Sequence, residues 1–210
     1  MPPEGWIDRQ LRARGIGDER VLAAMASVPR ELFVPENLRE LAYEDGALPI
    51  GSGQTVSQPY IVALIAQELE LRGDERVLDV GTGSGYQAAV LAELAQEVHS
   101  IERLPELAER ARRTLATAGY THVTVHLGDG TLGLPEHAPY GGIGVAAAAP
   151  EVPMALWEQL APGARLVLPL GGRRSQRLCV IERAEEGPRL LDQVPVRFVP
   201  LVGEGYDGRR

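Results

Sequence analysis

"RVLDVGTGSGYQAAVLAELAQ", residues 76–96, passes from an apolar run through a glycine-rich turn into an alanine- and leucine-rich segment. "RVLDVG", Arg76 to Gly81, has the continuous hydrophobicity of a strand buried on both faces. "YQAAVLAELAQ" then predicts a helix. Buried strand, tight turn and helix form the first half of a βαβ unit.

The alternation continues downstream. A second strand, "EVHSIE", Glu97 to Glu102, precedes a helix that Pro105 opens and Gly119 closes. A third strand lies in "HVTVHLGDG" and a fourth in "GIGVAAAAP", where the alanines read as a tightly packed buried strand. "PMALWEQLAPG" predicts a helix ending at Pro162-Gly163, and "RLVLPLG" a fifth strand. "RLCVIERA" and "RLLDQVPVRFVPLVG", split by a turn at Glu186-Gly187-Pro188, predict an antiparallel pair. The expected fold class is α/β: a doubly wound, mostly parallel sheet with N-terminal helices and antiparallel C-terminal strands.

Upstream, Ile7 and Leu11 mark one helix, and Val21, Leu22 and Met25 another, with Gly15 and Gly17 between them. "GSGQTVSQPYIVALIAQEL", Gly51 to Leu69, then carries a single charge, Glu68. A polar loop runs into an apolar helix; Pro59 suits its first turn and Ser57 reads as its N-cap. The chain is expected to be one domain, 1–210: an N-terminal helical and loop part at 1–57, a ligand-binding core at 74–171 and C-terminal strands at 172–210.

Composition narrows the function. The net charge of −8 argues against nucleic acid or an anionic membrane as the main partner. The basic stretch "GGRRSQR", with Arg173, Arg174 and Arg177, reads as a solvated turn. One cysteine, Cys179, excludes an internal disulfide and a cysteine zinc cluster. His122 and His126 would share a strand face, but two histidines do not make a zinc site, and no metal is expected. Trp6 and Trp157 read as core residues. There is no apolar run of the roughly 20 residues needed to span a bilayer. A cytoplasmic monomer is expected.

Ligands of open α/β sheets bind outside the carboxyl ends of the strands. After the first strand comes Asp79-Val80-Gly81-Thr82-Gly83-Ser84-Gly85. After the second comes Glu102, placed to accept hydrogen bonds from a ribose diol. After the third comes Gly128-Asp129-Gly130. The ligand is therefore expected to be a nucleoside. The dinucleotide pattern G-x-G-x-x-G fails, because Tyr86 or Ala88 falls where its third glycine belongs. No Lys or Arg lies in the turn to meet a phosphate. Acids around G-x-G-x-G suit a cationic ligand without phosphates, such as S-adenosylmethionine.

The chain resembles the protein-L-isoaspartate O-methyltransferase family. The segments that carry the resemblance are "VPRELFVPE", "LAYEDGALPIGSGQTVSQPYIVALI", "VLDVGTGSGYQAAVLAEL", "IERLPELAERAR", "GDG", "AAAPEVP" and "VRFVPLVG". The glycine turn alone would mark only a class I, Rossmann-like methyltransferase; "LPIGSGQTVSQPYIVA" is far more specific. The resemblance implies methyl transfer from S-adenosylmethionine to the free α-carboxylate of L-isoaspartyl residues in damaged proteins, whose ester closes to a succinimide. It implies Ser57 as the active-site residue, an orienting donor and not a nucleophile. Gln54, Thr55 and Val56 would bind substrate beside it, with Phe198 on the peptide side. Gly81, Gly83, Ser84 and Gly85 would approach the methionine moiety, with Asp79 near its ammonium. Glu102 would hold the ribose, and Asp129 and Gly130 would lie near the adenine. Two other readings stand beside this one: a class I methyltransferase acting on RNA or a small molecule, and a cofactor-binding homologue of weak activity.

One segment departs from the family pattern. Tyr140-Gly141-Gly142-Ile143-Gly144 stands where an aromatic residue, Asp, any residue and Ile are usual. Three glycines at a strand entry are expected to weaken it.

Overall fold

The computed structural model describes residues 2–172 and 174–206. Two α-helices, α1 (Trp6–Gln10) and α2 (Glu19–Ser27), lead the chain. Asp18 caps α2, its carboxylate accepting from the N–H groups of Arg20 and Val21. Two short 3-10 turns, Arg30–Phe33 and Glu36–Leu41, carry the chain to a small antiparallel hairpin, β1 (Leu48–Gly51) and β2 (Gln54–Val56). The segment expected to be a polar loop is thus half of a hairpin. Helix α3 (Pro59–Glu68) follows, with Pro59 in its first turn.

The main sheet has seven strands in the order β5-β4-β3-β6-β7-β8-β9. They are β3 (Arg76–Val80), β4 (Glu97–Glu102), β5 (Val123–Leu127), β6 (Tyr140–Val145), β7 (Leu160–Gly172), β8 (Ser175–Ala184) and β9 (Gly187–Val196). The first five are parallel; β8 and β9 add antiparallel to β7 as the expected pair. Helices α4 (Tyr86–Ala92), α5 (Pro105–Thr117) and α6 (Met154–Glu158) connect them. The chain steps outward from β3 to β5, then returns to the other side of β3 as β6. That reversal opens a crevice above the carboxyl ends of β3 and β6.

Two boundaries differ from expectation. The helix after Pro153 stops at Glu158, and Pro162-Gly163 lies within β7. The alanine run leaves the sheet after Val145; Ala148 and Ala149 make only isolated bridges, to Pro200 and Leu170.

The glycine-rich strand β6 pairs with β3 from Gly142 to Val145 and with β7 around a register shift at Gly141, and its neighbours explain its three glycines. A Cβ on Gly141 would lie 2.4 Å from Cγ of Glu75. One on Gly142 would meet Leu71 and Leu69, and one on Gly144 would meet Ile65. Side chains from α3 and the approach to β3 fill the volume that β6 gives up, so the strand is packed, with its one irregularity at Gly141.

The basic stretch has its exposed Arg174 at the turn into β8; Arg173 lies outside the described residues. Among the described residues no helix is long and apolar enough to cross a membrane.

Candidate active site

The turn from β3 to α4 builds one wall of the crevice. Glycines 81, 83 and 85 hold φ of +92°, +54° and +90°, a region closed to most side chains. Their roles divide. Gly83 donates its N–H to Oε2 of Glu102 at 2.9 Å, on the crevice wall. Gly85 serves packing: a Cβ there would lie 3.2 Å from Leu115 of α5, and the residue does not line the cavity. Ser84 lines the cavity while its hydroxyl accepts from the N–H of Tyr86.

Glu102, at the end of β4, is buried by its own bonds. Its second oxygen accepts from Leu104 N–H at 3.0 Å. Each carboxylate oxygen keeps a further lone pair, so a pair of ribose hydroxyls can be held without breaking either bond.

Asp79 does not reach the crevice. It is fully buried, with Oδ1 accepting from Gln87 Nε2 at 2.8 Å and Oδ2 from Ser100 Oγ at 2.6 Å. Burial pushes its pKa up to about 6, against the lowering pull of those two bonds. Gln87 does line the cavity, and its Oε1 is buried with no hydrogen-bond partner among the described residues. Fixed by Asp79 on the amide side, Gln87 presents an open acceptor where the sequence placed the acid. An orphaned acceptor at this wall fits a cationic ligand.

The opposite wall is the hairpin. Gln54, Thr55, Val56 and Ser57 all line the cavity, as expected. Ser57 is not the helix cap: Gln58 is, with no side-chain cap bond, and its amide turns instead to Asp45. The Ser57 hydroxyl makes no hydrogen bond among the described residues, while its carbonyl accepts from Arg30 Nη2 at 2.7 Å. Arg30 is fully buried, gives Nε to the Ala42 carbonyl, and lies 4.5 Å from the centre of the Tyr86 ring. Sequence reasoning passed over this arginine; a charged residue inside "VPRELFVP" was its only signal.

The C-terminal segment closes a third side. Val199 to Val202 line the cavity, bonded through Val199 and Leu201 to the backbone of Ala148. Phe198 stands outside the cavity; its backbone N–H and C=O are both held by the Gln176 amide, and its ring packs on the core. Gly130 lines the cavity but Asp129 does not. The Asp129 carboxylate accepts from Thr131 and from the N–H of Glu204, so it anchors the tail. Those donors also hold its carboxyl below the usual range, against a raising effect of burial.

The enclosed volume is about 360 Å³, within the range of small-molecule sites. No histidine, cysteine or lysine lines it, and Arg103 is the one cation among its described lining residues. Glu102 is the one carboxylate among the described lining residues, and both its oxygens already accept backbone N–H groups, so the site is built to bind and orient.

A family model described as protein-L-isoaspartate (D-aspartate) O-methyltransferase matches residues 6–205. The protein-L-isoaspartate O-methyltransferase of Methanoculleus marisnigri is 56% identical over 206 residues, covering 98% of this chain and 94% of its own. A solved protein-L-isoaspartate O-methyltransferase matches with a TM-score of 0.84 at 29% identity, over 94% of this chain and 65% of its own length. A Plasmodium falciparum chain solved in complex with S-adenosyl-L-homocysteine has the same fold, with a TM-score of 0.80 at 24% identity over 94% of this chain and 97% of its own. With the strand-end crevice, the Gly81–Gly85 turn and the Gln54–Ser57 hairpin in the family's order, this chain belongs to the protein-L-isoaspartate (D-aspartate) O-methyltransferase family.

Proposed function

We propose that this chain methylates the free α-carboxylate of L-isoaspartyl residues in damaged proteins, and that Ser57 orients that carboxylate. One observation carries the reading: Ser57, whose hydroxyl has no protein partner among the described residues, lines the same cavity as the Gly81–Ser84 turn and Glu102. S-adenosylmethionine, when bound, supplies a methyl group activated by its sulfonium. Gln87, through its unpartnered Oε1, would hold the ligand's ammonium, and Glu102 would accept from the ribose hydroxyls. Gln54, Thr55 and Ser57 position the acceptor with neutral groups. The acceptor carboxylate is already ionised near neutral pH, so no residue has to remove a proton. The work of the site is to hold two groups in line. Val199–Val202 line the crevice and would exclude water from it once the cofactor is bound. The ester product then closes to a succinimide without the protein.

A cytoplasmic setting accords with Cys179, a buried free thiol. The test is methyl transfer from labelled S-adenosylmethionine to matched peptides containing L-isoaspartate or L-aspartate. Label on the isoaspartyl peptide alone is expected. A folded, cofactor-binding protein that labels neither peptide would overturn the proposal, in favour of another acceptor or a binder without turnover.

A further inference from the structure

Three of the four histidines meet at a place the crevice does not use. His99 on β4 and His126 on β5 point to the same face of the sheet, and His137 comes from the turn Pro135–His137 ahead of β6. Nδ1 of His99 lies 2.9 Å from Nε2 of His126. The ring of His137 stacks on that of His99 with centroids 4.0 Å apart. One nitrogen from each of the three falls within 4.8 Å of the others. His122, read from the sequence as the partner of His126, instead bonds the carbonyl of Ala92. Neither residue of the sequence pair predicted the cluster, because His99 and His137 are brought in by strand pairing and by a loop.

We propose that His99, His126 and His137 form a three-histidine site for a divalent transition metal, zinc by the chemistry of its ligands. Tetrahedral zinc, with Zn–N of about 2.0–2.1 Å, sets its nitrogens about 3.4 Å apart. The His99–His126 pair is closer than that value and the three nitrogens lie within 4.8 Å of one another, so the half-buried rings of His126 and His137 must turn, His137 out of its stack on the buried His99, to converge on one ion. A three-histidine set without a thiolate suits zinc, with water in the fourth position.

The surroundings support this use. Nε2 of His99 meets Oε1 of Glu97 at 2.9 Å. With its proton given to that carboxylate, His99 turns the lone pair of Nδ1 toward the cluster, the arrangement that carboxylate-bonded metal ligands adopt. Glu97 is fixed in turn by Arg76, whose Nε lies 2.7 Å from Oε2 and whose Nη1 donates to the His137 carbonyl. The metal would join the edge strand β5 to β4 and to the turn before β6.

The experiment is titration of the tag-free full chain with zinc chloride by calorimetry, and with cobalt chloride by visible absorption. One equivalent per chain is expected, with the strong d–d bands of four-coordinate cobalt and a rise in melting temperature with zinc. His126→Ala and His137→Ala should each abolish saturable uptake; His137 lies in a turn, so its variant keeps the fold. Glu97→Gln should weaken binding about 10–100-fold. His122→Ala should bind as wild type does. Absence of one-equivalent uptake by folded wild-type protein would overturn the site, as would unchanged uptake in His137→Ala or equal loss in His122→Ala.

Discussion

Across the crevice, the Gly81–Gly85 turn grows out of β3, a central strand, whereas Gln54–Ser57 hangs from a two-strand hairpin outside the main sheet. The first wall is fixed by backbone bonds: Gly83 and Leu104 to Glu102, and Gly81 to the carbonyl of Ile101. The second is held to the body of the protein by Ile50 and Val56, buried in the core, and by the bond from Arg30 to the Ser57 carbonyl. The comparison teaches a division of labour. On the proposed assignment, a cofactor of one shape would be met by the wall built on the main sheet, and varied peptides by the wall built on a separate element.

If the walls act separately, each can be damaged alone. The largest effect is expected from Ser57→Ala. Loss of one oriented donor from a water-poor site typically costs about 10²–10³ in kcat. Steady-state kinetics on an isoaspartyl peptide should show that fall, while calorimetry finds cofactor affinity unchanged. A matching loss of cofactor affinity would break the comparison.

Arg30→Met comes next. It leaves the Ala42 and Ser57 carbonyls without their donor, and each buried unsatisfied group costs about 1–3 kcal/mol. Urea unfolding should show a loss of about 2–6 kcal/mol in total. In the protein that remains folded, the KM for peptide should rise more than the Kd for cofactor. The reverse order would mean that Arg30 supports the turn through Tyr86, and not the hairpin.

Glu102→Gln tests the first wall. The amide keeps the shape but sets a donor against the N–H of Gly83 or Leu104. A hydrogen bond to a charged group is worth about 1.5–3 kcal/mol, so cofactor affinity should fall about tenfold to a hundredfold. Peptide KM at saturating cofactor should stay put; a rise would join the two walls.

The same division separates what the sequence reveals from what it hides. Local patterns were legible: β4 runs from Glu97 to Glu102 as the alternation implied, and Glu102 reaches the crevice because strand ends do. Roles set by distant partners were not. Ser57 loses its capping position to Gln58, and its carbonyl is held by an arginine 27 residues away. Asp129 turns to the tail because Glu204, 75 residues on, supplies an N–H. The glycines of β6 looked like a defect until Glu75 and Leu69 were found in the space they leave. The hairpin was hidden because Pro49, Gly51 and Gly53 interrupt any strand-like alternation.

Asp79 offers the sharpest view of the ground beneath the first wall, through the pH dependence of stability. Its folded pKa of about 6 exceeds the ordinary 3.8, with burial as the largest cause. Between those values the native protein holds a proton that the unfolded chain has released. Stability from this group is therefore full below the lower value and is lost as pH rises through the higher one. Asp79→Asn has no such proton, and its amide can still accept from Gln87 while donating to the Ser100 hydroxyl. Urea midpoints measured from about pH 4 to about pH 7 should show wild type losing ground to the variant across the window, then running parallel to it. The opposite slope would mean that the bonds from Ser100 and Gln87 outweigh desolvation. Asp79 would then be a stable carboxylate, and Gln87 would owe its orientation, and its open Oε1, to a permanent negative charge behind it.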